Sequence, residues 1–179
     1  MPYEKHLEGE QAINFCLNDK KQDKICLNNF RGKWKVIFFF DKNSLESPNS
    51  DIIYYSKVRD EFKDLNAELI GIGPVSEKEI DKFCAEHDIN IILLSDVDYK
   101  ISGEYGVILF DKEKKKKILP MTFLINKDDV ISRVWNREKM YYRFSGYGGN
   151  AIDLWEQGKM WAHISIVTDY IEFFDKKKN

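Results

Sequence analysis

Sulfur and imidazole are scarce in this chain. Its 179 residues hold three cysteines, Cys16, Cys26 and Cys84, and three histidines, His6, His87 and His163. An odd cysteine count without any CxxC spacing argues against a disulfide scaffold and against a structural zinc site. The histidines stand far apart, and neither an HExxH motif nor a GxxxxGK phosphate loop occurs. The glycines around 103–106 and 146–149 do not fit a dinucleotide fingerprint. No metal and no cofactor is therefore expected. No apolar run approaches the ~20 residues that span a bilayer, so no membrane role is expected. Charge of one sign is also missing. Lys and Arg total 28 against 30 Asp and Glu, a net charge of −2, which gives no reason to expect nucleic acid as a partner. The opening residues 1–6 are polar and lack the apolar core of a secretion signal, which makes the cytoplasm the expected location.

What is present suits one globular domain over residues 1–179, with no internal repeat and no linker. Ile13 to Leu17 and Lys24 to Leu27 flank a polar turn and read as a β-hairpin. A turn centred on Lys21 sets Cys16 directly across from Cys26. Within Trp34 to Phe40, the five successive residues Val36 to Phe40 are apolar, β-branched and aromatic, as expected of a strand buried on both faces. After a polar loop, Ile52, Tyr55, Val58, Phe62 and Leu65 recur at helical spacing, with Asn49 or Ser50 as cap. Ala67 to Gly73 reads as a second buried strand. Ser76 and Glu79 form a capping box that opens a helix with Ile80, Phe83 and Cys84 on its inner stripe. Ile91 to Leu94 is a third strand, and Asp98 to Glu104 a short helix. The lysines at 114–117 read as a solvated loop. Met121 to Asn126 and Val130 to Trp135 form a second hairpin. Met160, Ile164, Val167, Ile171 and Phe174 mark one face of a terminal helix. Residues 136–158 read as an irregular aromatic excursion and 175–179 as a solvated tail. Alternating strands and helices imply an α/β fold, a mixed sheet with helices on both faces.

Several phrases in this order resemble the peroxiredoxins, the alkyl hydroperoxide reductase and thiol-specific antioxidant family. They are Phe30-Arg31-Gly32-Lys33 before the apolar strand, Lys82-Phe83, Leu93-Leu94-Ser95-Asp96, Tyr105-Gly106-Val107 and Thr122-Phe123-Leu124-Ile125. The resemblance spans roughly residues 7–172. It implies a thioredoxin-like fold with an N-terminal β-hairpin, a thiol peroxidase ancestry and a homodimer or a protein partner. In that family a Pro-x-x-x-Thr-x-x-Cys motif follows the first core strand. Its cysteine attacks peroxide as a thiolate, held at low pKa by a helix N-terminus and an arginine.

Counted without gaps from Phe40, the motif's Pro falls on Asp41, its Thr on Leu45 and its Cys on Pro48; a one-residue shift puts the Cys on Ser47. The family arginine, two positions before Thr-Phe, falls on Pro120. A serine hydroxyl lies far above the thiol's pKa of ~8.5 and has no sulfenic acid state. The resemblance thus implies a degenerate peroxidatic site. Pro120 also matches the proline, usually cis, that precedes this strand in thioredoxin-like reductases.

The alternative is a thiol-dependent oxidoreductase using Cys16, Cys26 or Cys84. Cys84 reads as a small buried hydrophobe. For Cys16 and Cys26, a reducing compartment and cross-strand geometry favour two packed thiols over a disulfide or a thiol switch. The stretch 135–161 around the excursion carries Trp135, Arg137, Tyr141, Tyr142, Arg143, Phe144, Tyr147, Trp155 and Trp161. It reads as a packed loop, a dimer contact or a cover over the vacated site. His87 and His163 read as surface or core residues.

Overall fold

The computed structural model describes residues 7–48, 50–137 and 152–177. Strands β1 (Cys16–Asn18) and β2 (Lys24–Cys26) form the first hairpin, and β3 (Trp34–Phe39) is the first core strand. Helices α1 (Asp51–Lys57) and α2 (Arg59–Asp64) lead into β4 (Ala67–Gly73). Helix α3 (Glu77–His87), strand β5 (Ile92–Ser95) and the short helix α4 (Lys100–Glu104) follow. A ribbon of β6 (Ile108–Phe110) and β7 (Lys116–Ile118) precedes the second hairpin, β8 (Met121–Ile125) and β9 (Ile131–Asn136). Helix α5 (Ile152–Lys177) closes the described chain.

Seven strands make one sheet in the order β2-β1-β5-β4-β3-β8-β9. β3, β4 and β5 run parallel, and β1, β8 and β9 pair antiparallel to their neighbours. The sheet is mixed and covered on both faces, as the alternation of elements requires. β3 shows why. Trp34, Val36 and Phe38 join one core with α1, α2, α3 and α5. Ile37 and Phe39 join the other, with Tyr105, Val107 and Ile131. On β4, Gly71 lies where an added Cβ would come within 2.7 Å of both Leu93 and Phe38, so the side chains of β3 and β5 meet over it. Lys35, fully buried in the middle of the sheet, ends on the carboxylate of Asp129 in the β8–β9 turn.

Caps set the helix starts. Ser76 Oγ accepts from Glu79 N at 3.3 Å while the Glu79 carboxylate accepts from Ser76 N at 2.9 Å, the expected capping box. Ser50 Oγ accepts from Ile52 N at 3.3 Å, so Ser50 is the cap of α1.

The bond before Pro120, which the sequence left open between cis and trans, is trans, since the described residues contain no cis peptide. Three expectations are corrected. The lysine run is only partly loop. Lys116 and Lys117 lie in β7 opposite Phe110 and Leu109, because the Asp111 carboxylate binds the amides of Glu113 and Lys115 and tightens the turn. The excursion is shorter than residues 136–158. Asn136 ends β9 and α5 already begins at Ile152, since one internal glycine, Gly158, costs a helix only about 1 kcal/mol. Residues 138–151, with Tyr141 to Tyr147, lie outside the described residues. Finally, Asp175 is no part of a solvated tail: its carboxylate accepts from Trp34 Nε1 at 3.2 Å and pairs with Lys127 at 2.9 Å.

Candidate functional site

The loop after β3 carries the positions that the motif comparison singled out. Asp41 caps a single 3-10 turn over 42–45, its side chain accepting from Asn43 N at 2.8 Å. Leu45 packs partly buried against the core beside α1. Ser47 is half-buried, and its carbonyl accepts from Ser50 N at 3.2 Å. Pro48 is exposed. Both precede the cap, so neither stands on the helix itself: the amino end of α1 belongs to Ser50 and Asp51. Pro120 is half-buried, and its carbonyl accepts from Arg137 N at 3.0 Å.

That last bond delivers a cation to the loop. Arg137 follows β9, whose Trp135 lies opposite Thr122 on β8. Its side chain is buried at 2% exposure. Nη2 pairs with Asp51 Oδ2 at 2.7 Å and donates to the Phe39 carbonyl at 3.1 Å. Nη1 donates to Thr122 Oγ1 at 2.9 Å. The guanidinium carbon lies 5.9 Å from the Phe38 ring centre. A guanidinium therefore does reach the amino end of α1, from the strand beside the one where the resemblance expects it. A carboxylate already answers its charge there.

Around this pair lies a closed group of hydroxyl and imidazole. Tyr55, one turn along α1 from Asp51, has its hydroxyl 3.5 Å from Thr122 Oγ1. His163 of α5 places Nε2 3.1 Å from the Tyr55 hydroxyl and 3.2 Å from Thr122 Oγ1. Its Nδ1 has no hydrogen-bond partner among the described residues. Burial, with Arg137 adding to it, lowers the His163 pKa to about 3, so the ring is neutral near pH 7. Burial pushes the Tyr55 hydroxyl up to about 12. The group holds an anion, a cation, two hydroxyls and a neutral imidazole. It can donate, accept and fix geometry, but it offers no ready nucleophile.

The three thiols lie elsewhere. Cys16 and Cys26 are directly opposed, with Cα atoms 4.0 Å apart, and their sulfurs are bonded. The expected reduced, packed pair is thus corrected: the hairpin register brings the sulfurs together, and Cys16 is exposed rather than packed. β1 is separated from β3 by β5 and β4, three strand spacings or about 14 Å. Cys84 sits in the core on α3 at 4% exposure, and burial pushes its thiol pKa up. A groove of 440 Å³ opens beside Cys16, lined also by Phe15, Leu17, Lys24, Asp98, Lys100 and Glu104 among others. Among the described residues no cluster of His, Cys, Asp and Glu could hold a metal ion.

Sequence reasoning missed the polar group. Asp51 was not singled out as a site residue, Arg137 stood out only as part of an aromatic stretch, and His163 only as a lone histidine. The Thr122-Phe123 pair was the one available signal.

Residues 9–134 match the family model described as AhpC/TSA family. Peroxiredoxin Bcp of Bacillus subtilis is 24% identical over 135 residues, 74% of this chain and 86% of that one. A putative peroxiredoxin bcp of Haemophilus influenzae is 28% identical over 138 residues, 74% of this chain and 87% of that one. Among solved structures, a reduced 2-Cys peroxiredoxin of Plasmodium vivax superposes with a TM-score of 0.69 at 22% identity, covering 95% of this chain and 99% of the other. Peroxidoxin BcpB of Mycobacterium tuberculosis gives 0.65 at 20% identity, covering 87% and 96%. At these identities the two superpositions establish the thioredoxin-like fold of the peroxiredoxin type. No helix among the described residues is long and apolar enough to cross a membrane.

Proposed function

Since the chain belongs to the AhpC/TSA family of peroxiredoxins, we propose that it keeps the family scaffold while its peroxidatic site is degenerate, and that it acts by binding, as a homodimer or on a protein partner. On this reading Asp41, Leu45, Ser47, Pro48 and Pro120 are former active-site positions. The observation that carries it is the amino end of α1. A thiolate would be needed there, and the position holds the Ser50 cap and the Asp51–Arg137 pair instead. Because Asp51 neutralises Arg137, the electrostatic pull that lowers a thiol pKa is also spent. The cytoplasm remains the compartment we assign.

Peroxide consumption with dithiothreitol as reductant tests this reading. The native chain should consume hydrogen peroxide no faster than dithiothreitol alone. Rapid turnover would overturn the reading, and turnover that persists when all three cysteines are serine would rule out thiol chemistry altogether. Sedimentation velocity should show a dimer.

One observation favours a second reading, a thiol-dependent oxidoreductase. The bonded Cys16–Cys26 pair lies at the surface, where a thiol can reach it. Cytosolic disulfides are characteristically transient and catalytic or redox-sensing rather than structural. Cycling of this pair between disulfide and dithiol would give the chain a redox function remote from the family's usual position.

A further inference from the structure

We infer that Cys16–Cys26 is a thiol–disulfide exchange site for small thiols of the amino-acid type, which carry a carboxylate and an ammonium group. The inference rests on the second reading above, that this pair is redox-active, and adds its substrate class.

Three observations carry it. First, of the two sulfur-bearing residues only Cys16 lines the 440 Å³ groove between the hairpin and α4, so an incoming thiol meets Cys16 first. That volume equals about fifteen waters at ~30 Å³ each, enough for an amino acid or a short peptide. Second, the groove has an apolar floor of Phe15, Leu17 and Ile101, and its charged lining is of both signs: Lys24 and Lys100, Asp98 and Glu104. All four charged residues are exposed, and no ion pair among the described residues involves them; Asp98 Oδ1 accepts from Lys100 N at 3.1 Å, which leaves its other oxygen open. They remain available to a ligand's carboxylate and ammonium. Third, the hairpin does not depend on the bond for its shape. The Asp19 carboxylate binds the amides of Lys21 and Asp23, Leu27 N reaches the Phe15 carbonyl at 3.0 Å, and Asn18 pairs with Ser95 on β5. Reduced cysteines therefore stay opposed and can pair again.

The exchange proceeds in two steps. The ligand thiolate bonds to Cys16 Sγ, the Cys16–Cys26 bond breaks, and its electron pair leaves on Cys26, which then takes a proton from water. Lys24 lies two residues before Cys26 on the same strand face, about 7 Å along the strand, and favours that departing thiolate. A second ligand thiol attacks the mixed disulfide at the ligand's sulfur and releases Cys16 as a thiolate. Two thiols become one disulfide, and the protein disulfide becomes a dithiol.

The test follows reduction of the oxidised full chain by mass spectrometry with three probes, L-cysteine, cysteamine and 2-mercaptoethanol. Each rate is expressed relative to the unaltered chain, which cancels the intrinsic reactivity of each thiol. K100Q should slow L-cysteine about fivefold, since one ion contact at the surface is worth about 1 kcal/mol, and change 2-mercaptoethanol less than about twofold. D98N/E104Q should slow cysteamine by a similar factor and leave 2-mercaptoethanol unchanged. Equal effects of a variant on all three probes, or none on any, would overturn the substrate class while leaving redox activity intact. If the chain treated with diamide carries no Cys16–Cys26 bond, or the bond is not reduced by any probe, the second reading itself fails.

Discussion

Removing the carboxylate of Asp51 takes from the buried Arg137 guanidinium the carboxylate that lies 2.7 Å from its Nη2. The guanidinium is 2% exposed, and breaking one side of a buried ion pair typically costs 3–5 kcal/mol. Asp51 is itself 22% exposed, so some water reaches the pair and the low end applies, about 3 kcal/mol for Asp51→Leu. In a chain of this size that corresponds to a Tm drop of about 6–12 °C. Arg137→Met removes one donor from Thr122 Oγ1 and one from the Phe39 carbonyl as well as the partner of Asp51, at roughly 1 kcal/mol for each lost hydrogen bond. The double variant removes both charges together. Its destabilisation should fall short of the sum of the singles by about 2 kcal/mol, because the attraction between the two side chains is lost once in the double variant but counted in both singles. The lost dipole interaction of a first-turn acid appears in both arms that lack Asp51 and cancels. Guanidinium chloride unfolding followed by tryptophan fluorescence measures all four corners of the cycle. Additivity within about 0.5 kcal/mol would refute the claim that this ion pair organises the polar group at the amino end of α1.

Three further outcomes follow from the same coordinates. His163 is neutral in the fold with its pKa lowered to about 3, so the unfolded chain, with a histidine near 6.5, binds the extra proton between those values. Stability should be full above about pH 6.5 and fall toward pH 3 by at most about 1.4 kcal/mol per pH unit. H163F should flatten the part of the profile between pH 6.5 and 4.5. Below pH 4.5 Glu79 adds a loss of its own, because the Lys42 and Ser76 hydrogen bonds hold its carboxylate at about 2. Gly71→Ala should destabilise by about 1–3 kcal/mol in urea melts, since its methyl would press on Leu93 and Phe38 at 2.7 Å. Iodoacetamide at pH 8 should leave Cys84 unmodified in the native chain and label it promptly in denaturant; prompt native labelling would contradict its burial.

The strands of the main sheet were legible because each had a local signature, whereas the β6–β7 ribbon, hidden in a lysine run, was not. Val36 to Phe40 is apolar at every position, as suits a doubly covered strand, and Ser76 with Glu79 announced a helix start within four residues. The opposition of Cys16 and Cys26 was also local, fixed by the length of one turn. Their bonding was not, because periodicity carries no redox information. The polar group at α1 was hidden for a different reason. Asp51, Tyr55, Thr122, Arg137 and His163 meet only through the tertiary fold, and each looks ordinary in its own segment. His163 falls one residue before Ile164 on an apolar helix face, where a histidine reads as a flaw in the stripe. The cation was sought at position 120, but it comes from the neighbouring strand, a substitution no count along the sequence can show.

α5 is attached at two distant points to the same strand. Near its end, Asp175 holds the indole of Trp34, where β3 begins. Twelve residues earlier, His163 joins the group in which Arg137 grips the Phe39 carbonyl, where β3 ends. Strand and helix are thus joined at both extremities, like a rung between two rails. In native-state hydrogen exchange their amides should lose protection together as one cooperative unit, so that fraying of the carboxy-terminal helix registers at the centre of the sheet.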